Sequence, residues 1–214
     1  YQTLNIDPEK INNAISKKTK AILAINILGN PVEFKKIKEV CDTNKLLLIE
    51  DNCESLGAKY GKRYTGSFGV AGSHSFFFSH HIQTIEGGII TTDDRDICEY
   101  IRSLRSHGWT RDSLEKNSFS KSPIAKFKNS FKFILPGYNL RPNELNGVLG
   151  LTQLQKFPNL LKARKENAGI FKKLFDNQTY CSIQKCDHDS SWYGFSILLE
   201  GALQNKRDYI INEL

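Results

Sequence analysis

Apolar runs of strand length alternate with segments of helical period along the first hundred residues. AILAINI (21 to 27) and LLLIE (46 to 50) are continuous apolar runs, the pattern of buried strands. Between them Gly29-Asn30-Pro31 breaks the chain, and VEFKKIKEVCDTNK then predicts a helix. Upstream, Asp7-Pro8-Glu9 combines a capping side chain, proline at the first helical position and an acid in the first turn. Ile11 and Ile15 make that element a short amphipathic helix. Strand, helix and strand at this spacing predict a βαβ unit in a mostly parallel sheet.

SHSFFF and GGIITT read as two further strands and DRDICEYIRSLRSH as a helix. Residues 110 to 138 are polar and irregular and predict a long excursion. From Arg141 the pattern is helical to about Asn177, with an interruption expected at Pro158. SSWYGFSILLE then reads as a strand of a second unit. The resulting expectation is an α/β fold in three parts. A large α/β domain occupies 1–140, connecting helices 141–178, and the beginning of a small C-terminal domain 179–214.

With 214 residues and 39% hydrophobic content, the chain can bury a sizeable core. No run approaches the roughly 18 apolar residues of a membrane span. AILAINIL, the longest, is broken by Asn26. The five cysteines are an odd number without a CxxC pair, which points to a reducing, cytoplasmic setting and argues against zinc. The net charge of +7 raises a nucleic-acid reading. Most of the excess lies in FKKIKEV and LLKARKENAGIFKKLF, where lysines fall at the spacing of solvated helix faces, so no nucleic-acid partner is expected. The chain opens on Tyr1 and contains no methionine, so it reads as an internal piece of a longer protein.

Candidate chemistry begins at Asp51, placed by LLLIE at the carboxyl end of a strand, where open α/β sheets bind ligands. An acid there could instead cap a turn, or hold magnesium in a phosphate-hydrolysing enzyme. The GxxxxGK[ST] loop of that chemistry is absent from these residues. EDNCESLGA, Gly66, GSHSFFFSHH, IEGG and GYNLRPNELNGVLG (137 to 150) follow in order. As a set they resemble the DegT/DnrJ-type sugar aminotransferases, pyridoxal-phosphate enzymes of fold type I, from Tyr1 to about Trp192.

The resemblance implies that residues 1–140 are cofactor-binding. It implies that Asp51 pairs with the pyridinium nitrogen, keeping it protonated so that the ring withdraws electrons. It also implies that Glu54 lies near the ring hydroxyl and Ser75 binds the phosphate. Asn139 would reach the phosphate of a neighbouring subunit, giving a homodimer with shared sites. Read without the family, Glu54 is a loop acid, Ser75 a strand serine bonded to backbone, and Asn139 a turn former.

Five residues after Ser75 such aminotransferases place the lysine that anchors the cofactor; this chain has His80. Imidazole has no primary amine and cannot make that bond. The exchange resembles the nucleotide-sugar 3-dehydratases of dideoxysugar synthesis, which hold pyridoxamine phosphate without a covalent link and use the histidine as base. Its unperturbed pKa near 6.5 suits proton transfer at neutral pH. That branch implies a nucleotide-linked 4-keto-6-deoxy sugar as substrate, glutamate as amine donor and a place in cell-surface polysaccharide synthesis.

An iron–sulfur cluster, used by some such enzymes, needs about four thiolates, and no cysteine lies between Cys98 and Cys181. Three alternatives stay open: a sugar aminotransferase with altered chemistry, a degraded site in a non-catalytic sugar-nucleotide-binding homologue, and a metal pair of His80 and His81. Adjacent histidines in an extended chain face opposite ways, which disfavours the pair as ligands. His81 reads as supporting or surface, His74 and His107 as structural, and His188 as exposed.

Overall fold

The computed structural model describes residues 2–110 and 131–214. Helix α1 (Pro8–Ala14) starts as its sequence dictates, with the Asp7 side chain accepting from the Glu9 amide at 3.1 Å. Strand β1 (Ala21–Ile25), helix α2 (Phe34–Asn44) and strand β2 (Leu47–Asp51) form the expected βαβ unit, and β1 pairs in parallel with β2. The hairpin of β3 (Lys59–Tyr60) and β4 (Arg63–Tyr64) lies in the connection from β2 to β5 (Ala71–Ser75), which is parallel to β2. Strand β6 (Gly88–Thr91) closes the order β1-β2-β5-β6 antiparallel to β5. Helix α3 (Arg95–Leu104) follows, its cap Asp94 accepting from the Ile97 amide.

One face of this sheet carries the core. Ile22, Ala24 and Leu48 are buried together with Ile11, Phe34, Ile37 and Cys41 of the two helices. Phe34 stacks on Phe68 with centroids 4.2 Å apart, and Tyr60 meets both rings edge-on. The opposite face is open among the described residues, leaving Leu23, Ile25 and Leu47 about half exposed.

Four expectations are corrected. The strand over SHSFFF ends at Ser75, because Ser75 with Gly88 is the last rung against β6. Phe76–Phe78 instead enter the turn toward the histidines. Helix α4 (Glu144–Phe175) runs for 32 residues straight through Pro158, so losing one amide donor does not end it. Its start is firm, with Asn143 and Asn146 exchanging side-chain and backbone bonds in a capping box. In SSWYGFSILLE only Ile197–Leu199 forms a strand, β8, paired with β7 (Cys181–Ile183). Residues 189 to 193 dock on the large sheet's loops instead. Finally, His188 is partly buried, its ring 4.2 Å from that of Tyr60 and its Nε2 3.5 Å from Glu33.

Of the long excursion expected over 110 to 138, residues 111–130 lie outside the described residues. The chain closes with helix α5 (Arg207–Glu213). No described helix is long and apolar enough to cross a membrane.

Candidate active site

Strands β2 and β5 bring the first site residues to one edge. Register pairs Asp51 with Ser73, so Asp51, Ser73 and Ser75 project from the same sheet face, the one opposite the core. Asp51 Oδ1 accepts from the Cys53 amide at 3.0 Å, which fixes the carboxylate. Burial, followed by hydrogen bonding and charge from Asp51, pushes the Cys53 thiol up to about 11, so it is no thiolate at neutral pH.

On the core side, the fully buried Glu50 accepts from the amides of Gly66, Phe68 and Gly69 at 2.6 to 2.7 Å. Those bonds fold the loop before β5 tightly onto β2. Gly66 sits at φ 86°, and a Cβ there would lie 2.5 Å from His74 Nε2, which explains the glycine. Burial holds the His74 pKa below the ordinary histidine value, with Asp51 opposing.

The two histidines lie in the turn after β5. His80 Nδ1 is 3.3 Å from Ser75 Oγ, and Ser75 Oγ also accepts from the Phe77 amide at 3.2 Å. The His80 amide donates to the Phe77 carbonyl at 3.0 Å, closing the turn. The loop's far end is tied to α4, where the Asn146 side-chain amide donates to the carbonyls of Thr84 and Glu86.

His81 is buried rather than on the surface, its Nε2 3.5 Å from the Ser191 carbonyl. Burial, with Arg164 adding to it, lowers its pKa to about 4. The chain is not extended here, so both imidazoles border one ring: Tyr193, at 5.5 Å from each. Among the described residues no cluster of three or more metal-binding side chains occurs.

The structure thus brings Asp51, Ser75 and His80 to one sheet edge. Glu54 follows Asp51 by three residues, and its Oε2 accepts from the Leu28 amide at 2.6 Å. Asn139 is exposed, on a segment bridged to residues 104–107 through Ser106.

Sequence reasoning missed Tyr193 and Arg164. Tyr193 was read as part of a strand, and Arg164 as one more cation on a solvated helix face. Arg164 in fact donates to the carbonyls of Trp192 and Tyr193 at 3.1 and 2.7 Å. A lone arginine among lysines at helical spacing was the only available signal, and it is a weak one.

An α/β sheet with a carboxylate and a serine at adjacent strand ends, and a histidine five residues on, is the arrangement that the fold-type-I resemblance implies. The profile of the DegT/DnrJ/EryC1/StrS aminotransferase family matches residues 1–214, and the chain belongs to that family. GDP-4-keto-6-deoxy-D-mannose 3-dehydratase of Yersinia pseudotuberculosis is 44% identical over 214 residues, all of this chain and 54% of its own length. The Escherichia coli O55:H7 protein of the same name is 44% identical over 200 residues, 92% of this chain and 51% of its own. The solved structure of the E. coli enzyme with bound hydrated PLP superposes at a TM-score of 0.92 with 42% identity, covering 100% of this chain and 55% of that one. The chain spans about half the length of the curated relatives it matches.

Proposed function

We propose that the protein containing this chain is a nucleotide-sugar 3-dehydratase that removes the 3-hydroxyl from a GDP-linked 4-keto-6-deoxyhexose. The observation that carries this reading is His80, an imidazole held by Ser75 where family aminotransferases place their anchoring lysine. The two similar dehydratases and a solved variant of that enzyme bearing GDP-perosamine support the substrate class.

The residues present fit pyridoxamine or pyridoxal phosphate held without a covalent bond. Asp51 and Ser75 share one face at neighbouring strand ends, and no amine occupies position 80. When bound, the cofactor would supply an amine that condenses with the 4-keto group and a ring that withdraws electrons. Asp51, its carboxylate set by the Cys53 amide, would hold the proton on the ring nitrogen of the bound cofactor. Ser75 Oγ lies 3.3 Å from His80 Nδ1, and in the tautomer that donates from Nδ1 to Ser75 the lone pair lies on Nε2. Nε2 would take a proton from the methylene of the bound cofactor and deliver it to the departing 3-hydroxyl, so one imidazole would serve as base and then as acid. Glutamate as amine donor, a homodimer completed by Asn139, Glu54 as a ring neighbour, a cytoplasmic location and the absence of an iron–sulfur cluster belong to the same proposal.

The test uses the full-length protein with pyridoxamine phosphate, glutamate and GDP-4-keto-6-deoxymannose. His80→Asn retains cofactor but loses deoxygenation by about 100-fold or more, the upper part of the range for removing a general base. His80→Lys gains a borohydride-reducible adduct at position 80 and shifts product toward a 4-amino sugar. Unchanged hydroxyl loss in His80→Asn gives the role to another residue. A 4-amino product from the unaltered protein supports the aminotransferase reading, and failure to bind either cofactor form supports a non-catalytic homologue.

A further inference from the structure

The turn carrying His80 is covered on one side by a segment distant in sequence. The His80 ring lies 5.5 Å from that of Tyr193 at an interplanar angle of 27°. The Tyr193 hydroxyl reaches past it to donate to the Ser79 carbonyl at 3.1 Å. One side chain therefore touches both the imidazole and the backbone that presents it.

Tyr193 is itself fixed from three directions. Its amide donates to the Leu28 carbonyl at 3.1 Å, and the Leu28 amide is in turn held by Glu54. Arg164 of α4 donates to its carbonyl, and the guanidinium lies 5.7 Å from the centre of its ring. Trp192 just before it has φ 50°, a left-handed conformation that bulky residues adopt only where their surroundings compel it. Gly29 makes the docking possible, since a Cβ there would lie 2.5 Å from Ser191 Oγ and 2.9 Å from the Trp192 amide.

We infer that Tyr193 is a positioning residue for His80, setting the imidazole plane through ring contact and the turn through the Ser79 carbonyl, with Arg164 as its anchor. The inference rests on His80 being the base. It gives Glu54 a second task beside the one proposed at the ring, through Leu28 to the Tyr193 amide. A base must sit within hydrogen-bond reach of its proton, so a misaimed imidazole slows the chemical step without weakening substrate binding.

The experiment compares Tyr193→Phe, Tyr193→Leu, Arg164→Lys and His80→Asn in the full-length protein, with GDP-4-keto-6-deoxymannose as substrate. Tyr193→Leu lowers kcat about 10- to 100-fold, the cost of a displacement near 1 Å, and leaves KM within about threefold. Tyr193→Phe keeps the ring and recovers most of kcat. Arg164→Lys keeps the charge, replaces the planar guanidinium whose Nη1 donates to both carbonyls and shows a smaller loss, again in kcat alone.

A readout independent of turnover is the His80 Hε1 resonance, assigned by its absence in His80→Asn. Tyr193 shields it, the shift moves toward that of free imidazole in Tyr193→Leu, and Tyr193→Phe preserves it. Wild-type kcat in Tyr193→Leu overturns the inference; where that variant does not fold, wild-type kcat in Arg164→Lys does so. Full activity in His80→Asn removes the basis of the proposed function instead, whatever the Tyr193 variants do.

Discussion

His81 separates two neighbours of the same chemical type by environment alone. His80 is partly open at the strand end, while His81 is 5% exposed, next to a guanidinium, and has Nδ1 without a hydrogen-bond partner among the described residues. Its pKa of about 4 lies below the ordinary 6.5, so between these values the unfolded chain binds a proton that the folded chain refuses. Stability therefore falls as pH drops from about 6.5 to about 4, by on the order of 3 kcal/mol. His74, also lowered by burial, acts in the same direction. Urea titrations from pH 4 to 8 measure this slope, and His81→Gln flattens it. An unaltered slope in that variant assigns the pH dependence to other groups. The sequence showed two adjacent histidines but not which was buried, because burial depends on Phe157, Arg164 and Ser191, at least 76 positions away.

At the scale of elements, strands β1 and β2 and helix α2 were legible because each has one period and clear breakers at its ends. Strand β5 was overextended because Phe76–Phe78 continue the apolar run after the last rung with β6 has formed. The break expected at Pro158 failed for a different reason. The helix on both sides is anchored by tertiary contacts, through Asn146 to the histidine loop and through Arg164 to the 192–193 backbone. Those anchors outweigh the local penalty, about 3 kcal/mol for proline within a helix. Pro158→Ala is accordingly expected to stabilise the protein by roughly 1 to 3 kcal/mol, seen as a higher denaturation midpoint with an unchanged slope. A lower midpoint would mean that the proline ring makes a contact worth more than the bond it removes.

Across the whole molecule, exposed apolar side chains gather around Asn139: Phe133, Ile134, Tyr138 and Leu140 are each more than half exposed. Surface of that kind is what an interface between subunits would bury, the arrangement proposed for Asn139. If each site takes Ser75 and His80 from one subunit and Asn139 from its partner, two inactive variants complement each other. Subunit exchange between His80→Asn and Asn139→Ala is expected to restore about a quarter of wild-type activity, since random pairing makes half the molecules heterodimers and each regains one of two sites. No recovery in confirmed heterodimers would falsify the shared site and return Asn139 to a turn. The place of Asp51 at the end of β2 was legible because the apolar run LLLIE stops there. Tyr193 was not, since nothing local distinguishes an aromatic that packs from one that aims a base.

The hold of Arg164 on residues 192 and 193 is made to carbonyl oxygens, which every amino acid possesses. The hydrogen-bonded part of the fastening is therefore independent of which side chains those two positions carry. A lineage could exchange the ring at position 193, and with it the aim proposed for His80, without dismantling the support beneath. A change at position 164 has no such freedom. This division lets one scaffold explore new reaction outcomes by single substitutions while its architecture stays fixed.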